Sequence, residues 1–241
     1  MIEKHISGKA PRARTGTSAR STCQGKPRCK GRKIGLRPRK PSLVIEAPVV
    51  RRVLMALTHA HHIGLLPTRM ITLALDRGGS VDHVDTIGRF LKLYKDAARR
   101  RGWPTAHIWT REHGSRTGQH VHILLHVPAS SGDWLKRRMP SWLKKAGLTR
   151  RKGVSHVSPI AGRPTGQSGS STVPGLYQAN LETVVRYVLK HCTSEAAKTF
   201  GIKSRGPIEV RGKRVGVSAN LNALAQSRCE QCVSTSISIR N

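Results

Sequence analysis

The chain has 241 residues, which suits one domain of ordinary size with flanking tails. Lys and Arg number 44 against 12 Asp and Glu, a formal net charge of +32, and this excess predicts a polyanionic partner, most commonly nucleic acid. We expect a cytoplasmic protein with no membrane partner, because no apolar run approaches the roughly 18 residues of a membrane span, no apolar signal core opens the sequence, and five cysteines do not suit a disulfide scaffold.

The first 40 residues are the most basic part of the chain. They contain thirteen Lys or Arg and a single acidic residue, Glu3, and Gly, Ser, Thr and Pro make up most of the rest. Such a composition buries too little apolar surface to offset the chain entropy lost on folding, so we predict a disordered basic arm. A folded domain over 41–226 and a tail over 227–241 are predicted to follow.

Helical and alternating spacings of apolar residues give the predicted elements of this domain in chain order. They are a helix that begins near residue 48 and runs to 57, a strand over 70–75, a helix over 84–101 capped by Asp82 or Asp85, strands over 106–110 and 119–127 joined by a five-residue turn over 114–118, and a helix over 131–146. A Gly/Ser-rich loop over 160–175, a helix over 181–192, a small hairpin over 210–217 and a helix over 218–225 complete the domain.

The most informative chemistry lies in the predicted hairpin. His120 and His122 are separated by one residue, and alternate residues of a strand point to the same face of a sheet. The turn brings Glu112, near the end of the preceding strand, to that same face. Two imidazoles and a carboxylate that converge in this way make a metal site with open coordination positions, so these three residues are the predicted ligands.

A second candidate group lies on the predicted helix over 181–192. Tyr187 and Lys190 are three residues apart and therefore share a face of that helix. A phenol has a pKa of about 10, but a neighbouring ammonium group favours the phenolate, which is the nucleophilic form. Of the other tyrosines, Tyr94 belongs to the apolar stripe of its helix, and Tyr177 is placed at the end of the Gly/Ser-rich loop.

The order of these groups resembles that of the HUH endonucleases, and more narrowly of the single-tyrosine initiators of rolling-circle replication. The strand over 71–76 resembles their first motif, an apolar strand with alternating Thr. His120 and His122 match the paired metal-binding histidines, and Glu112 is similar to the acidic ligand upstream of them. Tyr187 and Lys190 match the nucleophile and its lysine. The resemblance covers about residues 68–193.

This resemblance implies an α+β fold of the ferredoxin-like or RRM-like kind, with a central antiparallel sheet and flanking helices. It implies a nickase and strand transferase that attacks single-stranded DNA, at an origin or hairpin of a plasmid or phage, and forms a 5′-phosphotyrosine bond. The implied cofactor is Mg²⁺ or Mn²⁺; His ligands favour Mn²⁺, and zinc is also compatible. Arg111, Arg116 and Arg186 are the expected DNA contacts, and host replication proteins are candidate partners.

Other interpretations of these features stay open. A transposase or a mobilisation relaxase of the same superfamily would share the chemistry, whereas a non-catalytic basic protein would bind nucleic acid without it. His191, one helical turn from Tyr187, is the best alternative proton acceptor, and His107 and His113 flank Glu112 and can donate hydrogen bonds to it.

Two further patterns favour structural roles. The histidines over 59–62 lie in or after a helix and lack a paired strand with an acidic partner. A zinc site that joined Cys229 and Cys232 to Cys23 and Cys29 would need two segments that both look disordered.

Overall fold

The computed structural model describes residues 41–115, 117–128, 131–162 and 175–227. The predicted arm over 1–40, the tail beyond 227, most of the Gly/Ser-rich loop and the four cysteines of the possible zinc site lie outside the described residues. The described part contains five strands and six α-helices, which confirms the predicted α+β class.

The strands are β1 Arg69–Ala74, β2 His107–Gly114, β3 Gly118–Leu125, β4 Ser155–Pro159 and β5 Val215–Val217. The helices are α1 Ala47–His62, α2 His83–Arg99, α3 Gly132–Ala146, α4 Leu176–Val188, α5 Ser194–Phe200 and α6 Ala223–Ser227, and a 3-10 turn, Ala219–Leu221, follows β5. None of the described helices is both long enough and apolar enough to cross a membrane.

The five strands form one open antiparallel sheet in the order β4-β1-β3-β2-β5. Side chains alternate between the two faces of a strand, so the even-numbered residues of β2 and β3 share one face and the odd-numbered residues share the other. The sheet therefore separates two hydrophobic cores.

The face with the odd-numbered residues is covered by α2 and α3. Its core contains Phe90, Tyr94, Trp109, Trp134 and Trp142 together with aliphatic strand residues. Phe90 and Tyr94 both contact Trp142 edge-on, with ring centroids 6.2 and 6.1 Å apart. This geometry is one that aromatic pairs prefer, and most of the few aromatic residues of the chain lie in this layer.

The even-numbered face is covered by α1, α4 and α5. Ile108, Leu124 and Val215 pack there against the helices in an aliphatic core. Toward the turn between β2 and β3 the same face carries polar residues instead, and these form the candidate site.

Local signals explain how this hairpin is held. Gly118, at the start of β3, has a φ of 67°, a left-handed conformation that glycine adopts without strain. The Asp76 carboxylate, just after β1, accepts a hydrogen bond from the backbone N–H of Gln119 at 2.7 Å. Together they join the end of β1 to the start of β3 and fix the position of the histidines that follow. At the start of α2, the Asp82 carboxylate accepts the N–H of Asp85, as predicted.

Some predicted bounds around the site are wrong. β2 continues to Gly114, which pairs with Gly118, so the connecting turn has three residues, 115–117, rather than five. α4 begins earlier than predicted, at Leu176, and ends at Val188. Tyr177 therefore lies within this helix rather than in a loop.

The predicted elements near the C-terminus are also wrong. β5 pairs with the edge of β2 instead of forming a hairpin with residues near 210, and Val210 forms a bridge with Ser42. The predicted helix over 218–225 is divided into a 3-10 turn and α6. These pairings join residues about a hundred or more positions apart, and the periodicity of a local stretch of sequence does not predict such pairings.

Candidate metal centre

The candidate centre lies on the even-numbered face of the sheet. Glu112 of β2 is directly opposite His120 of β3, and Thr110 and Thr72 flank His122 from the strands on either side. Alternation along two paired strands therefore brings the carboxylate and both imidazoles to one place, as the hairpin geometry predicted.

One carboxylate oxygen joins the three predicted ligands. Oε1 of Glu112 lies 2.6 Å from Nε2 of His120 and 2.9 Å from Nε2 of His122. All three residues are buried, and one ligand atom from each lies within 4.8 Å of the other two. This is the one group of three or more His, Cys, Asp or Glu in the described part of the chain that can hold a metal ion.

The outer nitrogens of the two imidazoles also have partners. Nδ1 of His120 donates to the carbonyl oxygen of Gly118 at 3.0 Å, and Nδ1 of His122 lies 2.9 Å from Oγ1 of Thr72. A hydrogen bond at Nδ1 orients an imidazole ring and leaves Nε2 for a metal. Both rings are thus held with Nε2 toward the carboxylate.

The second carboxylate oxygen is held from the C-terminal end of α4. Nζ of Lys190 donates to Oε2 of Glu112, and Nε2 of His191 lies 3.3 Å from the same oxygen. Nδ1 of His191 donates to the carbonyl oxygen of Gly206 at 3.0 Å. Glu112 therefore offers one oxygen toward the two strand histidines while Lys190 and His191 hold the other.

These contacts shift the pKa values of the buried groups. Burial alone would raise the pKa of Glu112, but hydrogen bonds from His120, His122 and His191 outweigh it and hold that pKa far below its usual range. Burial lowers the pKa of His122 and of Lys190, against the opposing effect of Glu112 in each case. Glu112 is thus a carboxylate at neutral pH, the form that binds a metal.

Tyr187 lies at the open side of this cluster. Its ring centroid is 5.2 Å from that of His122, and Nζ of Lys190 lies 3.9 Å from the centre of the phenol ring. The residue is 39% exposed, so part of its side chain is open to solvent. Burial, and then the Glu112 charge, raise the pKa of Tyr187, whereas the charge of Arg205 opposes that rise.

Lys190 reaches the site by a different route from the predicted one. α4 ends at Val188, so Lys190 lies beyond the helix rather than on its face. Its backbone N–H donates to the carbonyl oxygen of Tyr187 at 3.3 Å, and its own carbonyl accepts from the N–H of Arg205 at 2.7 Å. This turn directs the ammonium group to both Tyr187 and Glu112.

The three predicted DNA contacts lie in different surroundings. Arg111 is buried on the opposite face of the sheet, where Nη1 donates to the carbonyl oxygens of Arg211 and Lys213. Arg186 is half-buried on α4 beside Tyr187. Arg116 lies outside the described residues. The structure thus gives Arg111 a role in holding the segment before β5.

Two predicted supporting histidines do not reach the cluster. His107 and His113 are odd-numbered residues of β2, so they lie on the face opposite Glu112, and the prediction that they support it is wrong. The histidines over 59–62 lie in the last turn of α1, and no metal-binding group forms there among the described residues.

The other two tyrosines are buried away from the cluster. The hydroxyl of Tyr94 donates to the carbonyl oxygen of His126, and that of Tyr177 donates to the carbonyl oxygen of Pro67, both at 2.5 Å. Burial raises the pKa of each phenol well above its usual range. Tyr187 is therefore the tyrosine that the fold brings to the histidines.

Two residues near the site gave no usable sequence signal. Arg205 lies in an irregular segment. A hydrogen bond from its backbone N–H to the carbonyl oxygen of Lys190 places it near Tyr187. His156 of β4 is exposed and pairs in register with Thr72, so it continues the row of polar residues across the sheet. The segment of β4 has no apolar alternation, which is why its sequence does not predict a strand.

Comparisons with protein-family models, with curated proteins and with solved structures find no match.

Proposed function

We propose that the protein is a metal-dependent nickase and strand transferase of the HUH kind that acts on single-stranded DNA. The observation that carries this proposal is the position of Tyr187, whose half-exposed phenol ring contacts His122 and Lys190 at the edge of the Glu112–His120–His122 cluster. A nucleophile, a cation and a set of metal ligands are the components that phosphoryl transfer to a tyrosine requires.

The donor set fits a divalent first-row metal ion. It combines two imidazole nitrogens with one carboxylate oxygen, a set that suits Mn²⁺, is compatible with zinc and is less usual for Mg²⁺. The hydroxyl of Thr110, opposite His122, is buried and has no hydrogen-bond partner among the described residues, so a polar group is available for a water molecule or phosphate oxygen. When bound, the ion would act as a Lewis acid toward a phosphate oxygen.

The chain's own residues carry the covalent step. The Tyr187 oxygen loses its proton to water and attacks the phosphorus, so that a phosphorus–oxygen bond to the tyrosine forms. The bond from phosphorus to the 3′-oxygen breaks, and that oxygen takes a proton from water to become a free 3′-hydroxyl. Lys190 stabilises the negative charge on the phenolate that forms when Tyr187 loses its proton.

The order of elements also supports the proposal. From β1 to β4 the chain runs strand, helix, strand, strand, helix, strand, the order of a ferredoxin-like unit, with the histidines on a central strand. Arg205 beside Tyr187 and the exposed His156 supply groups that can contact a strand of DNA on the way to the site. Initiation of rolling-circle replication at an origin or hairpin is the biological role we favour, with transposition or mobilisation as alternatives that share the chemistry.

A non-catalytic nucleic-acid-binding protein is the second candidate. The observation that favours it is the ion pair between Lys190 and Glu112, which balances the buried carboxylate without any metal. In that case the cluster would only stabilise the junction between α4 and the sheet.

The experiment that separates the two is formation of a covalent protein–DNA adduct. The full chain is incubated with Mn²⁺ and a pool of single-stranded oligonucleotides and then resolved on a denaturing gel. We expect an adduct with the wild type and with Tyr177→Phe, and none with Tyr187→Phe, because only the last change removes the attacking oxygen. Circular dichroism verifies that each variant is folded.

Two results would contradict the proposal. An adduct that persists in Tyr187→Phe but is abolished in Tyr177→Phe would assign the nucleophile elsewhere. A wild-type protein that binds the oligonucleotides but forms no adduct with any divalent metal would favour the non-catalytic protein.

A further inference from the structure

A basic surface lies away from the candidate metal centre. Lys92, Lys95 and Arg99 are exposed and follow one face of α2 at intervals of three and four residues. α2 packs on the face of the sheet opposite Glu112. These cations belong to a part of the molecule that the proposed nickase chemistry does not use.

A groove lies beside these cations. Its volume is about 980 Å³, and it is lined by α2, by the turn that contains Trp103 and by the 3-10 turn after β5. Two hydrogen bonds fix its walls: the Asn220 side chain donates to the carbonyl oxygen of Thr105 at 3.0 Å, and the backbone N–H of Ser218 donates to the carbonyl oxygen of His107 at 2.9 Å. The groove is thus part of the folded structure rather than a gap between side chains.

Trp103 gives this groove an aromatic surface. The ring is half-buried and lies edge-on to Trp134, with centroids 5.0 Å apart, while the guanidinium group of Arg101 lies 5.1 Å from the centre of the Trp103 ring. Gly102, with a φ of 68°, ends the helix and turns the chain so that Trp103 lies beside the cations. An aromatic ring beside a row of cations is the combination on which single-stranded nucleic acids bind, through stacked bases and phosphate contacts.

The charges around the groove are mainly positive. Asp96 pairs with Lys92 at 2.6 Å and with Arg99 at 3.1 Å, but Lys95 forms no ion pair with any described residue. Under the groove, burial and then the charges of Lys95 and Lys213 lower the pKa of His107 to about 4. One carboxylate therefore faces three cations, and a net positive surface remains.

We propose that this groove, with Lys92, Lys95, Arg99 and Trp103, is a binding site for single-stranded nucleic acid. Its position differs from that of the metal centre: β2 begins beside the groove at His107 and reaches Glu112 five residues later, about 17 Å along a strand. A strand bound here would be held by its backbone and by at least one base while another segment of nucleic acid lies at Tyr187. The proposal goes beyond the nickase activity and does not depend on it.

The test measures binding in EDTA, where no metal-dependent cleavage can contribute. Fluorescent oligodeoxythymidylate and oligouridylate are titrated with the full chain over a range of salt concentrations, because the basic arm adds its own affinity to every variant. The test variant carries Lys92→Gln, Lys95→Gln and Arg99→Gln. Its matched control carries Arg51→Gln, Arg52→Gln and Lys198→Gln, three exposed cations of α1 and α5 on the other face of the sheet.

We expect the test variant to bind whichever of the two oligonucleotides the wild type binds more tightly, and to bind it more weakly than the control variant does. The slope of log affinity against log salt concentration should be less steep by about 0.7 for each phosphate that the variant no longer neutralises. Trp103→Leu should weaken binding of the single strands by about 5- to 150-fold and change binding of a DNA duplex of the same length little, because paired bases are not free to stack. Asp96→Asn should have the opposite effect and raise the affinity for the oligonucleotides, since it frees Lys92 and Arg99 from their ion-pair partner.

The proposal is overturned if the test and control variants weaken binding equally, because the effect would then be general charge. It is equally overturned if Trp103→Leu weakens duplex and single-strand binding alike, since no base would then stack on the ring. Thermal unfolding of each variant shows that a weaker affinity is not caused by loss of the fold. None of these readouts measures nicking, so failure of the proposed enzyme activity leaves this test intact.

Discussion

The two faces of the β2–β3 hairpin have opposite chemistry although one stretch of backbone builds both. On one face Trp109, Val121 and Ile123 join the aromatic core beneath α2 and α3. On the other face His122, which lies between Val121 and Ile123 in the sequence, joins Glu112 and His120 in a buried polar cluster. Because side chains alternate along each strand, residues of the hydrophobic core and ionisable groups are neighbours in the sequence but lie on opposite faces of the sheet. We therefore expect substitutions in the aromatic core to lower stability while metal binding depends on the second face.

The largest expected effect tests whether the aromatic core can be weakened without loss of metal binding on the other face. Phe90 is fully buried and contacts Trp142, so Phe90→Ala should lower the free energy of unfolding by about 3 to 5 kcal/mol. The measurement is urea unfolding followed by circular dichroism. In the folded variant, Mn²⁺ affinity should stay within about twofold of the wild type. A large loss of metal affinity with little loss of stability would show that the two faces are not separate in this way.

The next effect concerns His107, an imidazole buried on the aromatic side of the sheet. His107 has a folded pKa of about 4, lowered first by burial, and its Nδ1 has no hydrogen-bond partner among the described residues. Below its unfolded pKa of about 6.5, the unfolded chain takes up a proton that the folded chain does not. Stability contributed by this group is therefore lost as the pH falls, by about 2 kcal/mol between pH 7 and pH 5.

Urea unfolding of the wild type and of His107→Asn at both pH values measures this difference. The variant should lack this part of the pH dependence. Identical pH dependence in the two proteins would mean that His107 titrates normally in the folded chain.

The smallest expected effect concerns the hydrogen bond that orients His122 on the polar face. Thr72→Val removes the hydroxyl that holds Nδ1 of His122 and keeps the shape of the side chain. Such supporting contacts are worth about ten- to a hundredfold in metal affinity, so Mn²⁺ binding should weaken by at least about tenfold. Thr72→Ser, which retains the hydroxyl, should restore it. Equal affinities in the Val and Ser variants would mean that the hydroxyl does not orient His122.

The sequence predicted those parts of the site that depend on local periodicity. The strand β1, the helix α2 and the shared face of Glu112, His120 and His122 all follow from spacings of two or of three to four residues. The grouping of Lys190, His191 and Arg205 does not, because α4 ends before Lys190 and an irregular turn directs these side chains. The edge strand β4 escapes prediction for a related reason, since its pairing with β1 rather than an apolar pattern defines it. β5 lies within the predicted hairpin over 210–217, but its partner is β2, which the local sequence does not indicate.

The central claim is that the polar face of the hairpin binds a divalent metal ion. Calorimetric titration of the full chain with Mn²⁺ tests it directly, with His120→Ala/His122→Ala as the test variant. His113→Ala is the matched control, because His113 is an exposed imidazole on the other face of the same hairpin. We predict that the wild type and the control bind an ion that the folded double variant does not bind. A wild type that binds no Mn²⁺, or a double variant that binds it equally well, would contradict the account.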